Sequence, residues 1–171
     1  MANRLLLLFG LPGCGKTTLS QQIIHARRDI EHINADAVRA AANDWDFSPE
    51  GRLRQTRRMR DAARASLYPI ALVDQVCPTA ALRKEMGADV IIWLNTITPE
   101  QSRFPDTAAL FEAPTQEEQL NPGFWSLYGY VPNNEIVELM NCIVPPYVVS
   151  NGRAAAEYAQ GIRRDHNHNI I

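Results

Sequence analysis

The chain has 171 residues, 46% of them apolar and 21% charged, with 17 basic against 19 acidic side chains and a formal net charge of −2. That length suits a single domain with a proper core, expected here to span 1–171, and the composition is that of an ordinary globular protein. No run of about 18 apolar residues is present, so a membrane span is not expected, and there is no global basic excess of the kind that marks a nucleic-acid binder.

The apolar run at 4–9 reads as a strand that leads straight into Gly10-Leu11-Pro12-Gly13-Cys14-Gly15-Lys16-Thr17, a complete G-x-x-x-x-G-K-[ST] pattern. A helix over 16–27 follows, with Thr18 in its first turn. A strand that feeds a glycine-rich turn into a helix start points backbone N–H groups into one concavity, and the helix dipole adds positive charge there. Residues Gly10 to Thr18 are therefore the expected ATP phosphate cradle. Lys16 would reach the β- and γ-phosphates, and the Thr17 hydroxyl would hold Mg²⁺. The Leu5–Phe9 run is too short for a signal-peptide core. Cys14, Cys77 and Cys142 show neither metal spacing nor a disulfide framework, and Cys14 is expected only to fill space in the loop.

A strand at 31–34 precedes a helix from Asp36 to about 43, and a turn covers 43–47. Ser48-Pro49-Glu50 is a helix start with a capping hydroxyl, a proline suited to the first turn and an acid facing the dipole. That helix runs to about 66 on a thin stripe of Leu53, Thr56, Met59 and Ala63. A buried-type strand at 69–73 ends in Asp74. A short helix over 79–86 stops at Gly87, the expected left-handed residue, and an apolar strand at 90–94 follows. Continuous apolar strands alternating with helices define an α/β fold: a parallel sheet covered on both faces.

Beyond Thr96 the pattern weakens. Residues 97–135 hold Pro99, Pro105, Pro114, Pro122 and Pro132 together with an aromatic cluster of Phe124, Trp125, Tyr128 and Tyr130, and read as a variable lid or insert. A last strand at 147–150, a helix at 154–162 and a flexible tail at 163–171 complete the reading; His166 and His168 in that tail have no plausible third metal ligand.

In such a sheet ligands bind beyond the carboxyl ends of the strands, so residues just after each strand become the candidates. Asp36 is either the carboxylate that orients and deprotonates an acceptor hydroxyl or a helix cap. Asp74 is either a Mg²⁺-holding Walker B aspartate or a polar strand end. Arg39 lies one turn beyond Asp36. Arg52, Arg57 and Arg58 belong to a helix with six arginines between Arg52 and Arg64, which reads as a phosphate-binding set or as a solvated charged face. Phe47 is a platform for a base or a hydrophobic staple. Arg103, the lone cation in 97–118, is a catalytic lid arginine or a surface residue.

The phosphate loop, then Asn34-Ala35-Asp36-Ala37-Val38-Arg39, then Phe47-Ser48-Pro49-Glu50-Gly51-Arg52 with Arg57-Arg58 downstream, resembles adenylylsulfate kinase over about residues 4–80. That resemblance implies a P-loop nucleoside-triphosphate kinase fold and transfer of the γ-phosphoryl of ATP to a hydroxyl. It makes Asp36 the acceptor-side carboxylate and places Arg39, Arg52, Gln55 and Arg57 around the acceptor, with Phe47 stacked on its base. Asn34 stands where the family has an aspartate, Gln55 where it has asparagine, and the lysine-rich lid is replaced by Ser102-Arg103-Phe104-Pro105-Asp106-Thr107. In this the chain is similar to adenylylsulfate-kinase-like proteins of tailed bacteriophages, some of whose relatives phosphorylate 5-hydroxymethyluracil in DNA. The expected acceptor is thus a modified DNA base or a nucleotide, and the expected location is the cytoplasm (of the host, for a viral protein). Adenylylsulfate or another nucleotide, and a module that binds ATP without transferring anything, are the alternatives.

Overall fold

The computed structural model describes residues 3–145. The expected strand at 147–150, helix at 154–162 and tail at 163–171 lie outside the described residues.

Five strands form one parallel sheet: β1 (Arg4–Phe9), β2 (Ile30–Asn34), β3 (Ile70–Asp74), β4 (Val90–Leu94) and β5 (Phe124–Leu127), in the order β2-β3-β1-β4-β5. β1 is central, and its side chains alternate between two cores. Leu6 and Leu8 face a layer with Leu19 and Ile23 of α1 (Lys16–Ala26) and Ile136, Leu139 and Met140 of α7 (Ile136–Ile143). Leu5, Leu7 and Phe9 face Met59 and Ala63 of α3 (Pro49–Ala65) and Leu82 and Met86 of α4 (Ala80–Met86). Burial on both faces is the reason β1 and β3 read as unbroken apolar runs.

Register brings the functional ends together: Leu8 and Asn34 both lie opposite Asp74, so β1, β2 and β3 finish at one level. The helix signals act where they stand in the sequence. The Ser48 hydroxyl accepts from the Gly51 N–H with Pro49 in the first turn of α3, and Gly87 ends α4 at φ 59°.

Three expectations are corrected. Much of 97–135 belongs to the body of the fold. Within it, β5 completes the sheet, and Phe124 and Trp125 of the aromatic cluster are buried on its two faces, leaving Tyr128 and Tyr130 exposed. The stretch around the 3-10 turn Pro99–Gln101 is tied to the phosphate loop through Ser102 and α5 (Pro105–Ala109) to α3 through Thr107 and Arg52, while α6 (Gln116–Gln119) is anchored to Arg83 through Glu118. Secondly, Arg27, which the sequence offers as a basic residue facing the C-terminal dipole of the first helix, is buried, pairs with Asp29, and donates from Nη1 to Asn141 Oδ1 at 3.0 Å and the Val144 carbonyl at 3.1 Å, tying α1 to α7. Lastly, the helix after β2, α2 (Ala35–Ala42), is capped by Asn34 rather than by Asp36.

Candidate active site

The phosphate loop follows β1 without slack. Gly13 and Gly15 adopt φ 89° and 98°, a region that residues with a Cβ rarely occupy, and a Cβ on Gly10 would sit 2.4 Å from the Leu94 carbonyl oxygen. Lys16 is buried, with Nζ donating to the Gly10 and Leu11 carbonyls at 3.2 and 3.0 Å, so its charge is held inside the cradle by the loop's own backbone. Cys14 packs in the core with its thiol pushed up by burial, partly offset by Lys16, in keeping with the space-filling role. Thr96 Oγ1 donates to the Cys14 carbonyl at 2.6 Å and Ser102 Oγ to the Pro12 carbonyl at 3.2 Å, so the chain after β4 clasps the loop from the far side.

Thr17 and Thr18 are exposed at the start of α1. Thr17 Oγ1 donates to Asp74 Oδ2 at 2.7 Å, and Asn34 Nδ2 donates to the same oxygen at 3.2 Å. Asp74 is nearly inaccessible; burial alone would raise its pKa, but the neighbouring His32 ring, the hydrogen bond from Thr17 and the charge of Lys16 outweigh it and hold the carboxyl below its ordinary value. A hydroxyl and an ionised carboxylate side by side are hard oxygen donors suited to Mg²⁺, which normally completes its shell with phosphate oxygens and water. Among the described residues no group of three His, Cys, Asp or Glu side chains converges.

His32 escaped the sequence reading, and Asn34 entered it only as the residue standing where the resembled family has an aspartate. Asn34 works in two directions: its Nδ2 holds Asp74, and its Oδ1 accepts from the Asp36 and Ala37 N–H groups at 3.1 and 3.0 Å, capping α2. One amide therefore joins the phosphate side to the helix that carries Asp36 and Arg39. The His32 ring on β2 is buried with Nε2 3.5 Å from Asp74 Oδ2. Asp36 itself is exposed in the first turn of α2, free of any capping duty.

The arginines divide sharply. Arg54 pairs with Asp44 and Asp46, Arg58 with Asp44, Arg57 and Arg60 with Glu85, and Arg64 with Asp89. The α3 arginines are thus mostly neutralised within the chain and do not form an open basic track. Arg57, expected at the acceptor, turns instead to Glu85 of α4. Gln55, expected there too, is fully buried with Nε2 donating to the Ala35 carbonyl at 3.0 Å and Oε1 accepting from Arg58 at 3.2 Å; it braces α3 against α2.

Arg39 and Arg52 differ from those α3 arginines, because among the described residues neither forms an ion pair with a carboxylate. Both sit on the Phe47 ring, with guanidinium carbons 4.5 and 5.6 Å from its centroid. Arg39 is buried and donates from Nη1 to the Asp44 and Asp46 carbonyls, each at 3.0 Å. Burial pulls its pKa below the ordinary value; Asp44 opposes this, and Arg52 and Arg58 add repulsion. Burial lowers that of Arg52 as well. Two guanidiniums with depressed pKa values beside a half-exposed ring form a site that gains by taking up an anion. Arg103 is exposed between Ser102, which touches the phosphate loop, and α5, which touches Arg52 through Thr107.

A further arginine missed by the sequence reading is structural. Arg83 is fully buried, gives Nε and Nη2 to the two carboxylate oxygens of Glu118 at 2.6 and 2.9 Å, and lies over Phe9, which stacks on Phe111. It fixes the 111–118 stretch to the end of β1.

The fold is that of the P-loop NTPase kinases: a parallel sheet with helices on both faces and a glycine-rich loop after its central strand. The AAA domain family matches residues 5–114, well over half of the chain, and the chain belongs to that family. Among solved structures it is similar to the Mycobacterium tuberculosis APS kinase CysC in complex with AMPPNP and APS (17% identity, 83% of this chain and 97% of that one covered, TM-score 0.64). It is similar too to a gluconokinase from Sinorhizobium meliloti 1021 (14% identity, 79% and 87% covered, TM-score 0.58) and to shikimate kinase from Acinetobacter baumannii in complex with shikimate (16% identity, 85% and 96% covered, TM-score 0.55). At these identities the likeness is one of fold. No curated protein matches the chain in sequence. No described helix is long and apolar enough to cross a membrane.

Proposed function

We propose that the protein is an ATP-dependent kinase that transfers the γ-phosphoryl group to a hydroxyl of a nucleotide-type acceptor. The observation that carries this reading is the separation of charge at one edge of the sheet. A phosphate loop with its Thr17–Asp74 pair lies on one side; on the other, Arg39 and Arg52 are left without a carboxylate partner on the Phe47 ring.

The cradle of Gly10, Leu11, Pro12, Gly13, Cys14, Gly15, Lys16, Thr17 and Thr18 receives the ATP phosphates, with Lys16 turning from its carbonyl partners to the phosphate oxygens. Thr17 and Asp74 hold Mg²⁺, which supplies charge neutralisation and alignment of the phosphates. Asp36, exposed one turn before Arg39, takes the proton of the acceptor hydroxyl. The oxygen bonds to the γ-phosphorus as the bond to the bridging oxygen breaks, and ADP leaves. Arg103 stabilises charge on the moving group, and Arg39 and Arg52 hold the acceptor's anionic part with Phe47 against its ring.

For the acceptor we favour the hydroxymethyl group of 5-hydroxymethyluracil in DNA. Asp36, Phe47 and Arg103 all lie exposed, which leaves room for a nucleotide that is part of a chain. The pairing of the other α3 arginines limits contact to about one flipped nucleotide and its phosphates. Adenylylsulfate is the second reading, favoured by the Phe47-Ser48-Pro49-Glu50 start of α3 beside Arg39. A panel of labelled ATP with hydroxymethyluracil-bearing DNA, ordinary DNA, adenylylsulfate and deoxynucleoside monophosphates decides between them. Label on the modified DNA, falling as salt rises, supports the first; label on adenylylsulfate alone replaces it with the second. ATP binding without transfer to any acceptor overturns the kinase reading, as does full activity of Lys16→Ala.

A further inference from the structure

Arg52 is oriented by two acceptors from different parts of the chain. Its Nε donates to the Phe47 carbonyl at 2.9 Å, within the loop before α3, and its Nη2 donates to Thr107 Oγ1 at 3.0 Å, from α5. A guanidinium has five N–H groups in a rigid plane, so these two bonds fix that plane and leave the Nη1 pair and the second Nη2 hydrogen as an open end-on fork. That open edge matches two oxygens of a phosphate or sulfate. Arg52 has no carboxylate partner among the described residues; the Phe47 ring lies against its guanidinium, and Thr107 is the side chain whose hydrogen bond sets where the fork lies.

Thr107 is itself well anchored. The next residue, Ala108, is buried; its N–H donates to the Phe104 carbonyl at 2.9 Å, and Phe111 just beyond stacks on Phe9 of the central strand at 6.2 Å. Upstream, Ser102 Oγ donates to the Pro12 carbonyl in the phosphate loop. The stretch 102–107 is therefore tied at one end to the donor loop and at the other to the acceptor-side arginine, with Arg103 exposed between the two ties.

We propose that Thr107 is a positioning residue: its hydroxyl holds the Arg52 guanidinium plane in the orientation that receives the acceptor's anionic group. This rests on the acceptor reading given above and adds a residue outside the phosphate loop and the acceptor motif.

The test compares Thr107→Val, which keeps the shape and removes the hydroxyl, with Thr107→Ser, which keeps the hydroxyl. In transfer assays Thr107→Val is expected to raise the KM for the acceptor about threefold to tenfold, with kcat and the KM for ATP within about twofold of wild type, and Thr107→Ser to restore it. Amide exchange over 105–110, measured without substrates, is expected to speed up in Thr107→Val and not in Thr107→Ser. A lower acceptor KM in Thr107→Val overturns the proposal, since Thr107 would then be a competitor for Arg52. Equal behaviour of the two variants, or a fall in kcat at constant KM, overturns it as well. The exchange measurement needs no acceptor: a wild-type protein that transfers to nothing defeats the kinase reading, while unchanged exchange in Thr107→Val defeats the Thr107 link on its own.

Discussion

Asn34 Nδ2 lies 3.2 Å from Asp74 Oδ2 while Asn34 Oδ1 caps α2, so a single uncharged side chain satisfies a buried carboxylate and a helix start at once. An aspartate could cap the helix but could not donate to Asp74. Asn34→Asp is expected to place two carboxylates in contact, to lower stability at neutral pH and to recover part of it on mild acidification as one of the pair takes up a proton. Asn34→Ala is expected to lose the cap and the Asp74 bond together, costing about 1–2 kcal/mol. Urea titrations at pH 7.5 and pH 5.5 check both, and equal midpoints for wild type and Asn34→Asp would refute the account.

Arg39 carries both shape and charge. Its Nη1 closes the 44–46 turn while its plane lies on Phe47. A lysine keeps the charge but offers neither a planar face nor the same fork. Arg39→Lys is expected to raise the acceptor KM about tenfold and leave the KM for ATP unchanged, because the hydrogen bonds of Arg39 go to the 44–46 turn rather than to the phosphate loop. Steady-state kinetics with each substrate varied in turn gives the answer.

Asp36 is exposed, caps nothing and pairs with no cation at salt-bridge distance among the described residues, so removing its charge has little to break in the fold. Asp36→Asn is expected to cut transfer by about 10²–10⁴-fold while ATP affinity stays within about twofold. Calorimetric ATP titration beside a transfer assay separates the two effects.

The buried Arg83–Glu118 pair tests the core rather than the chemistry. Arg83→Met leaves Glu118 without its bidentate partner in a partly buried position and is expected to cost about 3–5 kcal/mol, a drop in Tm on the order of 10 °C. Scanning calorimetry measures it.

Acid sensitivity follows from the same pair. Glu118 lies below its ordinary value of 4.5: burial raises it, and the hydrogen bonds from Arg83 and Thr115 more than reverse that. Asp89 and Asp29 are depressed below 3.8 in the same sense. A carboxyl depressed in the folded state contributes stability that is complete above its unfolded pKa and is lost as pH falls through the folded value. Tm is therefore expected to be flat from pH 6 to 7.5 as far as these groups go, and to fall below about pH 4.5. Glu118→Gln, less stable at neutral pH, is expected to show a shallower decline; a parallel decline would remove Glu118 from the explanation.

The sequence alone determined what local pattern governs. The phosphate loop was legible because glycine spacing, the preceding apolar strand and the following helix are contiguous. The Ser48-Pro49 start and the Gly87 stop were legible because caps act within one turn, β1 and β3 because burial on both faces leaves no polar alternation, and β4 because it is an unbroken apolar run. The tertiary structure decided matters that depend on residues far apart in the chain. β5 became a strand because β4 offered it an edge, although its four residues gave no lasting period. Six arginines of similar appearance in α3 were sorted by carboxylates mostly 8 to 28 residues away, leaving Arg52 without a carboxylate partner among the described residues and turning Arg57 to Glu85. Arg39, Arg83 and Asn34 acquired their roles in the same way. A buried charge or amide is defined by the partner that satisfies it, and that partner is fixed only when the chain has folded back on itself.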